Sequence, residues 1–476
     1  MTESVEQALA QYRWAAEYLL GLIQGPPSPP PGATTEEIRA RAKARLERLA
    51  GFLDFIGRPQ DAYPSVHVTG TSGKGSTATF IASILTQAGY RTGLHLSPYL
   101  QVETEKLQIS GRLLPADRFA RYVAELDGLV GSWTARGGQR LTYGEFWVAL
   151  TFLAFARERV DVAVVEVGAG GRFDLTNVLQ PEVAVITSVG LDHVRTLGPT
   201  LLDIAWHKAG IIKDGRPAVT TVTDPGPLAV IRQEAELQAA PLDVLYPGQD
   251  YAELECDEQG SRMLDLRRGR VYRIGLPGRF QVANAAVAIA AVEKLGHLPR
   301  GEVSAETIAA GLEQARIPGR VEVVQVTPQV VLDGAHNPDK VGALLESLRC
   351  LRHPRRRIVV YGVLEGHDAT AMAQQLSAAA DQVVVTAPAA VQREHAPLEL
   401  LVETFQAQGC PAVAIPEPLE AVDWALEQAE PDDQVLVTGS LYLVGQARER
   451  WYPASEIVLQ CSCWPLITTR QGERAS

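Results

Sequence analysis

The chain has 476 residues, more than one hydrophobic core ordinarily serves, and a formal net charge of -12, which excludes the basic surface of a general nucleic-acid binder. Its 46% apolar and 21% charged residues are those of a globular protein, and no run is long and apolar enough to span a membrane. The start, Met1-Thr2-Glu3-Ser4, lacks the basic and apolar stretches of a signal peptide, so a cytoplasmic location without membrane or nucleic-acid partners is expected.

Residues 5–24 read as an amphipathic helix, with Ala8, Tyr12, Ala15, Tyr18, Leu19 and Ile23 at helical spacing. Gly25-Pro26-Pro27-Ser28-Pro29-Pro30-Pro31-Gly32 ends it as a polyproline-type loop, and a second helix is predicted over about 35–56. From Val66 onward, short Val/Ile runs such as 162–167, 183–187 and 217–222 alternate with helical stretches, as buried parallel strands do. Residues 245–275 suggest a short antiparallel excursion, followed by a helix at about 281–295. After Pro318-Gly319 a fresh strand–helix series begins, with strands near 321–326, 329–333, 357–362, 382–386 and 434–438. The expected fold is α/β. An N-terminal P-loop domain over 1–317 holds a doubly wound, mostly parallel sheet, a smaller Rossmann-like α/β domain covers 318–452, and a flexible tail covers 453–476.

Strand Ser65–Thr69, the Gly-rich turn Gly70-Thr71-Ser72-Gly73-Lys74-Gly75 and a helix from Ser76 to Ala88 make an anion site. Backbone N–H groups and the helix dipole face the ligand there, and glycine admits close backbone approach. Lys74, one of seven lysines, supplies a mobile charge for the β/γ phosphates of ATP, and Ser76 a magnesium ligand. Gly70, Thr71, Gly73, Lys74, Gly75, Ser76 and Thr77 are the expected nucleotide contacts. The loop departs from the strict pattern because Gly75 separates the lysine from the hydroxyl.

Ligands of doubly wound sheets gather at the carboxyl ends of strands. Glu166 closes the apolar run Val162-Ala163-Val164-Val165, where a carboxylate is costly unless it faces a cation such as Mg²⁺; an exposed strand end is the bland alternative. His193, in Gly190-Leu191-Asp192-His193, is either a ligand or a structural histidine. Ser97, before Pro98, is a further oxygen candidate, and Lys208 points toward the same end of the sheet unless it forms a simple salt bridge.

Together, His67 to Ser76, Glu166 to Asn177, Gly190 to His193, His207 to Lys213, Asp333 to Pro338 and Thr438 to Leu443 resemble the folylpolyglutamate synthases of the Mur ligase superfamily, over about 40–450. The resemblance implies two magnesium ions, with Ser97, Glu166 and His193 as ligands beside Ser76. It implies that Lys208 is carbamylated, that Asn284 contacts the nucleotide, and that Arg320 and Asp333 reach it from the second domain. It places His336 and Ser440 near the incoming glutamate, and the segment Gly168 to Asn177, with Gly170, Gly171, Arg172, Asp174 and Asn177, along the pteridine-bearing substrate. Lys74, Lys208, His193 and His336 would be the catalytic set. Four positions depart from the family pattern. Ser72 stands for Asn, Lys106 for Arg, Gly144 for an aromatic residue and His367 for Lys.

The implied reaction adds L-glutamate to a folate, or to dihydropteroate, with ATP, in a monomer. A carboxylate is a poor acyl donor, so the γ-phosphoryl of ATP would first make it an acyl phosphate; this needs positioning and charge neutralisation rather than a protein nucleophile. Another Mur-type ligase is the first rival reading, although the phosphate loop here begins after only helices and a linker. A guanine-nucleotide switch is the second, but none of the three asparagines is followed by lysine. Cys256, Cys350 and Cys410 read as reduced thiols, and Cys461 and Cys463 as part of the tail or a weak metal or redox pair.

Overall fold

The computed structural model describes residues 2–23, 32–295, 298 and 300–467. Most of the Pro-rich loop expected at 25–32, and the end of the expected tail, lie outside these residues.

The strands in chain order are β1 (Ser65–Thr69), β2 (Thr92–His95), β3 (Gln108–Ile109), β4 (Arg112–Leu113), β5 (Val162–Glu166), β6 (Val183–Ile186), β7 (Ala218–Thr220) and β8 (Leu242–Val244). They form one sheet in the order β4-β3-β2-β5-β1-β6-β7-β8, in which β3 is antiparallel to both β2 and β4 and the other pairs are parallel. β1, β5 and β6 are buried along their whole length, as their Val-rich runs require. Successive residues of β5 enter opposite cores, Val162 and Val164 on one side and Ala163 and Val165 on the other. The first core holds the helices Lys74–Gln87, Phe280–Glu293 and Ala305–Gln314. The second holds Thr2–Leu20, Thr35–Phe55, Ala116–Ala135 and Tyr143–Arg157, where Phe119, Trp147, Phe152 and Phe155 are fully buried, each worth about 1.5–3 kcal/mol of apolar burial. Helix Thr35–Phe55 starts with a capping box between Thr34 and Glu37.

The antiparallel excursion is the three-stranded sheet of β9 (Tyr251–Asp257), β10 (Gly260–Asp265) and β11 (Arg270–Ile274). A second large sheet follows from β12 (Glu322–Val326), β13 (Gln329–Leu332), β14 (Arg357–Tyr361), β15 (Gln382–Val385), β16 (Ala412–Ala414) and β17 (Gln434–Thr438), in the order β12-β13-β17-β14-β15-β16. β12 is antiparallel to β13, and the other pairs are parallel. β16 has no clear sequence signal because it is three residues long between Pro411 and Pro416.

Two expectations are corrected. The tail is not flexible through its first part: Ala454–Gln460 is a helix, and Ile457, Val458 and Cys463 are buried against Val102, Leu113 and Ala116. Arg448, fully buried, ties this segment in by donating to Cys463 O at 2.7 Å, Gln101 Oε1 at 2.6 Å and Glu322 Oε1 at 2.8 Å. Cys256 and Cys350 are not reduced thiols but a disulfide, with Cα atoms 5.2 Å apart. The three-stranded sheet lies against the end of helix Pro338–Leu348, where Glu258 accepts from Arg352 N at 2.7 Å, and this brings the two sulfurs together across 94 residues of sequence. Cys410, Cys461 and Cys463 are free.

Candidate active site

β1 is central, and the chain leaves it toward β2 on one side and later β6 on the other, so a crevice opens at the carboxyl ends of β5, β1 and β6. The loop from Gly70 to Gly73 fills this point. It is held from β6: Thr71 N donates to Ser188 O at 3.0 Å, Ser72 N to Ser188 Oγ at 2.9 Å, and Thr187 Oγ1 to Ser72 O at 2.5 Å. A Cβ on Gly70 would stand 1.8 Å from Thr187 Oγ1. Gly73 has φ 81°, and a Cβ there would lie 2.2 Å from Asn284 Oδ1, so glycine is required twice over. Asn284 is thereby placed on the loop, with Gln281 Oε1 accepting from its Nδ2 at 3.0 Å and Thr77 Oγ1 3.4 Å from its carbonyl oxygen.

The helix begins at Lys74, two residues earlier than expected, with Ser76 and Thr77 buried in its first turn. Lys74 Nζ donates to Gly70 O at 3.0 Å, folding the side chain back over the loop. Glu166, buried at the end of β5, lies beside this turn: a Cβ on Gly75 would be 3.6 Å from Glu166 Oε2. Its Oε2 accepts from Ser97 N at 2.9 Å. Burial pushes this carboxyl above its ordinary range, opposed by Lys74, Ser97 and Arg320. The exposed-carboxylate alternative is therefore excluded.

One buried carboxylate with hydroxyl neighbours suits a hard cation that keeps most of its ligands from phosphate and water. Among the described residues no group of three or more His, Cys, Asp or Glu could hold a metal alone. Ser97 and Glu166 come together beside Gly75, one residue from Ser76, whereas His193 stands exposed at the exit of β6, paired with Asp192 at 3.9 Å. Although its side chain is 54% exposed, partial desolvation by its neighbours lowers its pKa, opposed by Asp192 and aided by Lys74, Lys340 and Lys208. Lys208 is 2% exposed and makes no ion pair among the described residues, so a simple salt bridge is not what holds it. Burial drives its pKa well below that of a free lysine, with Lys74 adding repulsion.

Gly319 to Asn337 bring the second sheet to the crevice. Asp333 is buried after β13 and accepts from Val321 N at 2.9 Å and Ala335 N at 2.8 Å. Arg320, whose Nη1 donates to Gly319 O at 3.2 Å, lowers the pKa of both Asp333 and Glu166 through its charge. His336 Nδ1 lies 2.8 Å from Gly334 O, and its Nε2 lies 3.0 Å from Lys340 Nζ. Burial lowers its pKa to about 3, so the imidazole is neutral, with Nδ1 donating and Nε2 accepting. Ser440 caps helix Leu441–Arg448, its Oγ accepting from Tyr442 N at 3.1 Å.

The segment Gly168 to Asn177 is largely braced by its own bonds. Thr69 Oγ1 donates to Gly170 O at 2.6 Å, and a Cβ on Gly171 would lie 2.7 Å from His207 O. Arg172 pairs with Glu234 at 2.5 Å and lies over Trp206. Asp174 accepts from Ala169 N and Thr176 N, and Asn177 Nδ2 donates to Arg172 O and Gly210 O. Asn177 Oδ1 is buried without a partner among the described residues. Sequence reasoning missed Asp192 and Lys340, which meet across the crevice, and Thr187 and Ser188, which brace the loop. The scarcity of lysine was the signal for Lys340, and the run Gly190 to His193 contained Asp192; nothing marked Thr187 and Ser188.

Residues 68–292 match the Mur ligase middle domain, and residues 319–441 the Mur ligase glutamate ligase domain. The chain is 34% identical over 413 residues to the dihydrofolate synthase/folylpolyglutamate synthase of Bacillus subtilis, covering 86% of this chain and 95% of that protein. It is 33% identical over 410 residues to the folylpolyglutamate synthase of Lacticaseibacillus casei, covering 84% and 93%. Mycobacterium tuberculosis folylpolyglutamate synthase complexed with ADP superposes with a TM-score of 0.80 at 29% identity, over 93% of this chain and 99% of that one. Escherichia coli FolC in complex with DHPP and ADP superposes with a TM-score of 0.75 at 29% identity, over 92% and 97%. With a glycine-rich phosphate loop, a buried strand-end carboxylate and a second sheet meeting them, this chain belongs to the Mur ligases, in the family of dihydrofolate synthases and folylpolyglutamate synthases.

Proposed function

We propose that the chain joins L-glutamate to the carboxylate of a folate, and of dihydropteroate, at the expense of ATP. The observation that carries this reading is the meeting of the Gly70–Ser76 loop, Glu166 and Arg320 at one crevice between two sheets. The loop N–H groups and Lys74 hold the triphosphate; Asn284, Arg320 and Asp333 hold the nucleotide from either side. Ser76, Glu166 and Ser97, with His193 from the next strand, are the residues that would hold magnesium, which screens the charge of the transferring phosphoryl group.

A carboxylate oxygen of the acceptor bonds to the γ-phosphorus as the bond to the ADP oxygen breaks, giving an acyl phosphate and ADP. The glutamate amine then bonds to the acyl carbon, phosphate leaves, and the amine proton passes to solvent or a neighbouring base. His336 and Ser440 are assigned to the glutamate, and Gly170 to Asn177 to the pteridine-bearing end. Within that segment, Arg172, Asp174 and Asn177 act by holding the loop's shape, because their side chains are already engaged. Closure of the sheets would exclude water from the acyl phosphate. Lys208, buried and short of a partner, is suited as a neutral amine to take up CO₂, becoming a carbamate that faces Lys74 and Lys340. The proposed state is a monomer with lobes at 1–317 and from 318 onward. The test is ADP release with glutamate and either dihydropteroate or tetrahydrofolate: release that requires both co-substrates supports the reading, and release indifferent to them removes it.

A further inference from the structure

Lys106 ends the short turn Glu103–Lys106 that follows the Ser97 loop. It is 9% exposed, and among the described residues its ammonium has no hydrogen bond and no ion pair. It lies 4.3 Å from the ring centroid of Trp147 and 5.9 Å from that of Tyr143. A cation over aromatic faces gains about 0.5–2 kcal/mol, less than the several kcal/mol that burying an ammonium costs. Burial indeed pushes Lys106 down to about 8, partly offset by Glu103, Glu166 and Asp174.

Those three carboxylates are occupied elsewhere. Glu103 takes the hydroxyls of Tyr12 and Tyr99, Glu166 takes Ser97 N, and Asp174 takes Ala169 N and Thr176 N. Lys106 is thus a buried cation held near the Glu166 end of β5 with no protein anion committed to it. The Ser97 loop before it borders the second lobe, since a Cβ on Gly319 would lie 3.1 Å from the Leu100 side chain and one on Gly445 2.1 Å from Leu100 O. Lys74 already serves the phosphate loop from the other side.

We propose that Lys106 is a specificity-determining residue that binds the carboxylate of the folate acceptor, holding it beside Glu166 for phosphorylation. The assignment rests on the ligase reading above. It explains why a lysine is tolerated in this apolar setting: the acceptor completes the ion pair and leaves when amide formation removes the charge.

The test compares binding of tetrahydrofolate with its γ-amide, which lacks the charge, to the ATP-analogue complex of the wild type, Lys106→Met and Lys106→Arg, together with steady-state kinetics. The expected result is a wild-type preference for the carboxylate of about tenfold or more, lost in Lys106→Met and largely kept in Lys106→Arg. KM for ATP and for glutamate should stay within about twofold of wild type, and the melting temperature of Lys106→Met should not fall. A preference retained in Lys106→Met, or equal changes in KM for all three substrates, overturns the assignment. If Lys106→Met does not fold, Lys106→Gln answers the same question. A wild type that releases no ADP with folate and glutamate would instead sink the ligase reading itself.

Discussion

Lys340 Nζ lies 3.4 Å from Asp192 Oδ2, joining the helix that starts at Pro338 in the second lobe to the loop after β6 in the first. The same ammonium contacts His336 Nε2 at 3.0 Å, so one lysine couples that histidine to the loop after β6. Both partners are about three-quarters buried, with side-chain exposures of 23% each, which spares the pair much of the screening that weakens surface bridges.

This bridge should hold the crevice in its working geometry. Asp192→Asn and Lys340→Met are each expected to lower kcat by about tenfold while leaving ATP affinity unchanged, and the double variant should be little worse than either single one. Fully additive losses would show that the two side chains act independently.

Lys208 should gain mass in bicarbonate buffer and lose it on acidification, as a carbamate does. Lys208→Ala should lose most of its turnover and recover part of it with a short-chain carboxylic acid. The readouts are native mass spectrometry and ADP release; an unmodified lysine in active, bicarbonate-equilibrated protein would contradict the assignment.

His67 is fully buried in β1, with Nε2 2.8 Å from Thr176 Oγ1 and Nδ1 without a partner among the described residues. Burial, with repulsion from Lys213, lowers its pKa to about 3. The unfolded chain takes up this proton at about pH 6.5, and the folded one not until about pH 3, so stability is lost as pH falls through that window. His95, His207 and His336 are lowered by burial as well and add to the loss. Urea unfolding of His67→Gln at about pH 7 and about pH 5 should show a smaller drop than wild type. An identical drop would mean that His67 does not titrate differently on folding.

The disulfide predicts a redox-dependent stability. Chain entropy alone makes a closed loop of this length worth about 4–5 kcal/mol, since 94 residues separate Cys256 from Cys350. Cys350→Ser, or reductant, should lower the denaturant midpoint clearly, and reductant should then have no further effect on the variant. A wild type indifferent to reductant would contradict this.

The phosphate loop could be read in the sequence because its chemistry is local: strand, glycines, lysine and hydroxyl lie within a dozen residues. Glu166 was legible for a similar reason, as a charge closing an apolar run. The Cys256–Cys350 bond, the Asp192–Lys340 pair and the burial of Arg448 against Gln101 and Cys463 were not, because each joins segments whose proximity is decided by tertiary packing. The helix after 453 is seven residues long, too short for a periodic signal, and its order comes from Ile457 and Val458 finding a ready surface at Val102 and Leu113. Arg172 shows the opposite case, a residue that the motif marks for substrate and that the fold engages with Glu234 and Trp206.

The central claim is that the crevice at Gly70–Ser76 and Glu166 phosphorylates a folate carboxylate for attack by glutamate. The most direct measurement incubates wild type, Lys74→Ala and Glu166→Gln with ATP, magnesium, glutamate and tetrahydrofolate, and follows ADP and the mass of the folate together. The account predicts one added glutamyl residue per ADP in the wild type and a loss of about 100-fold or more in both variants, with Glu166→Gln keeping its fold. ADP release without a heavier folate, or variants that ligate at wild-type rates, would contradict it.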